Sequence, residues 1–254
     1  MQLIVLGSGT SVPHPGRCSP SYWLETTAGT ILLDAGPDAA HRMAHEKVDW
    51  PNLDAIWVSH FHLDHFGGLP TLLFGFRWSP QTQARTKPLR VVGPKGLHGL
   101  LETINNANNY KLLQQPFPVE IVEVETDHPF DFLPQLIGNA VSTPHTTESL
   151  ALRLTDRAMK TLVYTSDTGF TEDLFTFAAA PNLLLLECSF RRNKSVQTHL
   201  QLSEAMQIAQ ACNPKRLVLT HLYPEWDEFN LVAEANSFWT GETIEATDGL
   251  RLII

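Results

Sequence analysis

With 254 residues, 43% hydrophobic and 18% charged, the chain is long enough to bury a large core, and its formal net charge of −9 argues against a general binder of long nucleic acid, which relies on Lys and Arg to displace counterions. Its three cysteines, Cys18, Cys188 and Cys212, include no CxxC pair, which argues against a disulfide framework and fits a reducing compartment. The opening MQLIVLGSGT has no basic region and too short an apolar run for a secretion signal, and no run approaches the roughly 18 apolar residues of a membrane span. A cytoplasmic protein without a membrane partner is expected.

No repeat, low-complexity tract or linker interrupts the chain, so residues 1–254 are read as one domain. QLIVLG is a short apolar strand running into a glycine loop. SYWLET and TILLDAG form a hairpin across Thr27–Gly29. Residues 38–47 read as a helix, and LDAIWVSH as a buried strand. A helix follows from Asp64 to Phe74. LRVVGP is a strand, GLHGLLETINNA has helical spacing, and VEIVEVE alternates as a half-solvated strand does. GNAVSTPH, SLALRL, KTLVYTSD, NLLLLECS and KRLVLTH are strands, helices fit 171–180 and 200–212, and GLRLII closes the chain as a strand. Apolar strands end repeatedly in His or Asp: Asp34, His60, His145, Asp167 and His221. Strand ends that meet at one sheet edge build a site from residues far apart in sequence.

VSHFHLDHFGGLP (58–70) packs three imidazoles and a carboxylate into six residues. In an extended segment His60, His62 and Asp64 share one side. His60 and His62 then serve one metal ion, while Asp64, capping the next helix, and His65 turn toward a second. His145 completes the first set, His221 completes the second, and Asp167 bridges them. Five His and two Asp suit two divalent ions, Zn²⁺ most naturally, with Mn²⁺ or Fe²⁺ as alternatives. His14, His41, His45, His98 and His128 are read as surface or packing residues.

The order HxHxDH, lone His, Asp, last His resembles the metallo-β-lactamase-fold hydrolases. GSGTSVPHPGRCSPSYWLET, ILLDAG, HFHLDHFGGLP, VVGPKG, TSDTG, ECSF, HLQLSEA and LTHLYP look like the ribonuclease Z-like branch. The resemblance implies an α/β fold, a four-layer αββα sandwich of two sheets with helices outside. It implies that Asp34 steadies the metal loop by holding the free N–H of a ligand imidazole. It also implies that His199 protonates the leaving group, although His199 also suits a cap on the helix that follows. Asp64 and Asp167 are then catalytic as well as ligating, and relatives with this pattern often form dimers, so a homodimer is open to this chain. The long arm that grips tRNA in ribonuclease Z has no counterpart between Gly96 and His145 or between His145 and Asp167.

The expected activity is a binuclear phosphodiesterase on a small anionic ester, nucleotide-like or cyclic. Hydrolysis of a carboxylic ester, lactone or aryl sulfate is the alternative. A tRNA 3′-processing endonuclease fits less well, because the arm is lacking and the net charge is −9, and a non-catalytic metabolite binder fits less well because all seven ligands are present. Arg191, Arg192 and Lys194 form either a phosphate-holding loop or a solvated basic turn. Tyr223 either lines the site or packs. The segments Phe74–Arg85 and Ile104–Phe117 are candidate pocket walls, with rings that stack on a base or pack under a lid.

Overall fold

The computed structural model describes residues 1–126 and 128–254. The first sheet holds β1 (Gln2–Gly7), β2 (Ser21–Thr26), β3 (Gly29–Leu33), β4 (Ala55–Trp57), β5 (Leu89–Gly93) and β6 (Val119–Glu123). The second holds β7 (Phe130–Leu133), β8 (Leu136–Ser142), β9 (Leu150–Asp156), β10 (Thr161–Tyr164), β11 (Leu183–Glu187), β12 (Arg216–Thr220) and β13 (Glu242–Glu245). The last strand, β14 (Arg251–Ile253), returns to the first sheet beside β1, so among the described residues each sheet has seven strands. Strands β3 to β6 run parallel, as do β10 to β13.

Period-two alternation explains the layers. Leu3 and Val5 of β1 face the core between the sheets, while Ile4 and Leu6 face the outer helices. In β11, Leu183 and Leu185 point inward and Leu184 and Leu186 outward. Strands buried on both faces read as continuous apolar runs. The outer layer of the first sheet is α1 (Ala39–His45), α3 (Gly68–Trp78) and α4 (Leu97–Ala107), which follow the four-residue α2 (Leu63–Phe66) or precede it. The second sheet is covered by α5 (Asp173–Phe177), α6 (Leu202–Cys212) and α7 (Leu231–Ala235). On α6, Leu202, Ala205, Met206 and Ala209 form the inward stripe that a 3.6-residue period requires. A fully buried Leu or Val contributes about 1.5–3 kcal/mol, against about 0–1 kcal/mol for a surface ion pair. The αββα sandwich therefore rests on these cores.

Several expected elements differ. LDAIWVSH is a strand only over Ala55–Trp57. The helix expected from Asp64 to Phe74 divides at Gly67 into α2 and α3, where Gly68 is pressed against the Gly36 carbonyl: a Cβ there would lie 2.0 Å from that oxygen. Asp64 does not cap α2, because His62 holds that position and Asp64 lies in the first turn. The helix expected over 171–180 spans only Asp173–Phe177. Strands β7 and β13 and helix α7, too short to show a clear period, were not expected.

Candidate active site

Asp34, His60, Asp167 and His221 lie immediately or shortly beyond the C-terminal ends of β3, β4, β10 and β12, and His145 follows β8. Three turns at this edge place a non-glycine residue in the left-handed region: Asp34 (φ 56°), Ser166 (φ 55°) and His221 (φ 56°). Such conformations carry local strain and cluster at functional sites. The turns swing side chains from both sheets into one cleft.

All seven expected ligands meet there. Possible ligand atoms of His60, His62, His145 and Asp167 lie within 4.8 Å of one another, as do those of Asp64, His65, Asp167 and His221. His62 enters through Nδ1, 2.9 Å from His145 Nε2. Asp167 spans the two groups: Oδ2 is 3.5 Å from His145 Nε2 and 3.8 Å from His60 Nε2, and Oδ1 is 3.1 Å from His65 Nε2 and 3.3 Å from His221 Nε2. Asp64 Oδ2 is 3.5 Å from His221 Nε2. His62 is exposed, so the cleft opens to solvent on its side.

The cluster suits cations. His60 Nε2, His65 Nε2, His221 Nε2 and Asp167 Oδ1 are buried without a hydrogen-bond partner. Unsatisfied buried polar atoms are costly, and these four belong to the ligand set. The charges of the bare cluster divide between its residues. Burial alone would raise the Asp167 carboxyl, but His221 and His65 hold it well below the usual carboxylate range. Burial likewise opposes charge on His65, yet Asp167 and Asp34 keep it well above the usual imidazole range. Burial and the neighbouring His65 push His60 down to about 2, and burial lowers His145. His60 and His145 are thus held neutral, the form that ligates a metal.

Two buried carboxylates brace the cluster. Asp34 accepts from the Ser59 N–H at 2.8 Å, the Ser59 hydroxyl at 2.7 Å, His65 Nδ1 at 2.7 Å and the Tyr164 hydroxyl at 2.6 Å. Glu187 accepts from the Thr168 N–H at 2.7 Å, the Ser189 hydroxyl at 2.6 Å, His199 Nδ1 at 3.0 Å and the Leu200 N–H at 3.1 Å. Glu187 was not singled out from sequence. The signal was available, since it ends an apolar strand as the other site residues do. Burial disfavours charge on His199, but Glu187 outweighs it and raises the imidazole above its ordinary value. His199 does not cap α6, because Gln201 and Glu204 form a capping box there. His145 is oriented by its Nδ1, 2.9 Å from the Thr198 carbonyl.

The basic segment is neither an open phosphate loop nor a solvated turn throughout. The Lys194 side chain is 7% exposed, donates to the His199 carbonyl at 3.0 Å and pairs with Glu204 at 2.9 Å. Arg191 shares its Nε–H between both carboxylate oxygens of Glu234 and covers the Phe229 ring, whereas Arg192 is exposed. Tyr223 stacks on Phe190 at 4.8 Å and stands edge-on to His199 and His221, each 6.4 Å away, so it borders the cleft. Phe74, Ile104 and Tyr110, from the expected pocket walls, line instead a separate apolar groove between α3 and α4 that contains no cluster residue.

Residues 29–222 match the Beta-lactamase superfamily domain. The chain is 26% identical over 266 residues to ribonuclease Z of Pyrobaculum aerophilum, covering 89% of this chain and 88% of that protein. It is 27% identical over 259 residues to the mitochondrial ribonuclease Z 2 of Schizosaccharomyces pombe, covering 98% of this chain but only 38% of that longer protein. Its fold is similar to that of the metallo-beta-lactamase fold protein YhfI from Bacillus subtilis, with a TM-score of 0.82, 23% identity and coverage of 99% and 98% of the two chains.

Proposed function

The chain belongs to the beta-lactamase superfamily, and on that premise we propose that it hydrolyses a small anionic phosphodiester, nucleotide-like or cyclic, with two divalent ions, best suited to Zn²⁺. It is a metal-dependent hydrolase; the substrate, the number of ions and the residue roles are the proposed part. The observation that carries the reading is the convergence of four unpartnered buried ligand atoms on one cleft. His60, His62 and His145 would hold one ion and Asp64, His65 and His221 the other, with Asp167 between them. Divalent ions in such a setting supply Lewis acidity toward an anionic ester and acidify water.

The protein's own groups do the rest. Asp64 and Asp167 would orient the attacking water. His199, held on Glu187 through Nδ1, keeps Nε2 for delivering a proton to the departing alkoxide. Tyr223 and Phe190 form a flat wall beside that proton donor, suited to a ring on the leaving group. Arg191 and Lys194 are engaged by Glu234 and Glu204. With a net charge of −9, this favours a small ester over a long RNA backbone. Among the described residues no helix is long and apolar enough to cross a membrane, and a cytoplasmic, single-domain homodimer completes the proposal.

The test is turnover of bis(4-nitrophenyl) phosphate by metal-replete protein, beside a simple lactone, an aryl sulfate and a tRNA precursor, with Asp167→Ala as control. Phosphodiester turnover that follows metal content and is lost with Asp167 is the expected result. Turnover confined to the lactone or sulfate overturns the phosphodiester assignment, and turnover confined to the tRNA precursor overturns the small-substrate assignment.

A further inference from the structure

Asp34 and Glu187 lie against different parts of the cluster, yet each serves one histidine directly and a second through a serine. Asp34 holds His65 itself and reaches His60 through Ser59. The Ser59 hydroxyl donates to Asp34 Oδ2 at 2.7 Å and lies 3.0 Å from His60 Nδ1. Glu187 holds His199 itself and reaches His221 through Ser189. That hydroxyl donates to Glu187 Oε2 at 2.6 Å and lies 2.9 Å from His221 Nδ1. Both serines are fully buried, so water does not compete for these contacts.

The count of protons decides the rest. An ionised carboxylate only accepts, and a hydroxyl has one proton. Once that proton is given to Asp34 or Glu187, the serine oxygen can only accept from the imidazole. Nδ1 of His60 and of His221 must then carry the N–H, which leaves the lone pair on Nε2. Those two Nε2 atoms are among the buried atoms without a partner, and they face Asp167. A neutral histidine in water prefers the opposite tautomer, with its proton on Nε2, which cannot ligate through that atom.

We propose that Ser59 and Ser189 are positioning residues that set the metal-ligating tautomer of His60 and His221, one serine for each ion. This rests on the two-ion reading of the centre. Ser166 Oγ also lies 3.4 Å from His60 Nδ1, a longer contact that partly substitutes for Ser59, so Ser189 gives the sharper result.

The experiment compares wild type with Ser59→Ala, Ser189→Ala and Ser189→Thr. Zn²⁺ affinity is measured by competition with a chromophoric chelator, and histidine tautomers by ¹⁵N NMR on the metal-free proteins. In Ser189→Ala one ion weakens by about 10–100-fold, the usual effect of losing an outer partner of a metal ligand, while the other keeps its affinity. The His221 proton moves to Nε2 in the metal-free spectrum, and Ser189→Thr restores both readouts. Ser59→Ala weakens the other ion by less. Wild-type affinity for both ions in Ser189→Ala overturns the proposal, as does an unchanged His221 tautomer. A wild-type chain that binds fewer than two ions overturns the two-ion reading instead, and the metal-free spectra still decide what the serines do. Matching thermal unfolding of the metal-free variants separates tautomer control from misfolding; if Ser59→Ala does not fold, the Ser189 pair decides.

Discussion

Glu187 joins the proposed proton donor to a proposed metal ligand, because its two oxygens divide between His199 Nδ1 and the Ser189 hydroxyl. The consequence for pH follows from the sign of the shift. Burial works against a charged His199, but the Glu187 carboxylate overrides it and the imidazole stays protonated above its ordinary 6.5. A general acid acts while protonated, so activity is lost as pH rises through the folded pKa. Glu187→Gln removes the charge that raises it, and the basic limb of kcat/KM, measured at saturating metal, is expected to move to lower pH. An unmoved limb would separate His199 from the rate. The same shift stabilises the fold: the contribution is fully present below the unfolded value near 6.5 and is lost as pH rises through the folded pKa. Stability measured against pH should therefore lose this increment in Glu187→Gln.

At the scale of elements, the site depends on how closely two loops approach. The Ala35 N–H donates to the His65 carbonyl at 2.7 Å and the Gly68 N–H to the Ala35 carbonyl at 2.8 Å, which binds the turn after β3 to the histidine-rich loop. A Cβ on Gly36 would lie 2.6 Å from the Asp64 carbonyl oxygen, and one on Gly68 would lie 2.0 Å from that of Gly36. Both obstacles are backbone, so neither can rotate away. Gly68→Ala is expected to cost about 1–3 kcal/mol as an overpacked site. That lowers the melting temperature by roughly 2–12 °C and weakens metal binding, since proposed ligands for both ions sit on the displaced loop. Gly99, inside α4 with nothing within 4 Å of its missing Cβ, is the control. There Ala should stabilise by about 0.5–1 kcal/mol. Calorimetry on the two variants tests the contrast.

The whole molecule carries a net charge of −9, and that charge is unevenly spread. Residues 70–81 and 103–115 contain only Arg77 and Lys111 as charged residues. On this face Phe74, Trp78 and Tyr110 are 45%, 61% and 41% exposed, and Phe74 packs against both other rings beside the groove between α3 and α4. A protruding Trp beside an apolar groove on one face suits a two-fold contact between copies. Acidic chains meet there without repulsion. The homodimer proposed above is expected to use this face, so light scattering should give twice the chain mass for wild type and the chain mass for Trp78→Glu. A dimer indifferent to Trp78→Glu would move the contact elsewhere, and a monomeric wild type would remove it.

The amino-acid sequence by itself determined the order of apolar strands and the metal-suited residues from His60 to His65, with single polar residues at later strand ends; the four layers were legible through the family resemblance those motifs carry. What it left open depends on contacts across the molecule. Tyr164 donates to Asp34 from 130 positions away, and Glu187 reaches His199 only because the loop after β11 folds back over the sheet edge. Lys194 was legible as a cation, but not as one turned inward onto the His199 carbonyl. Phe74 of α3 was legible as apolar, but not as lining a groove that contains no cluster residue. Periodicity records which face of an element is buried. Which hydroxyl meets which imidazole is decided by the crossing of strand ends, and only the folded chain brings those together.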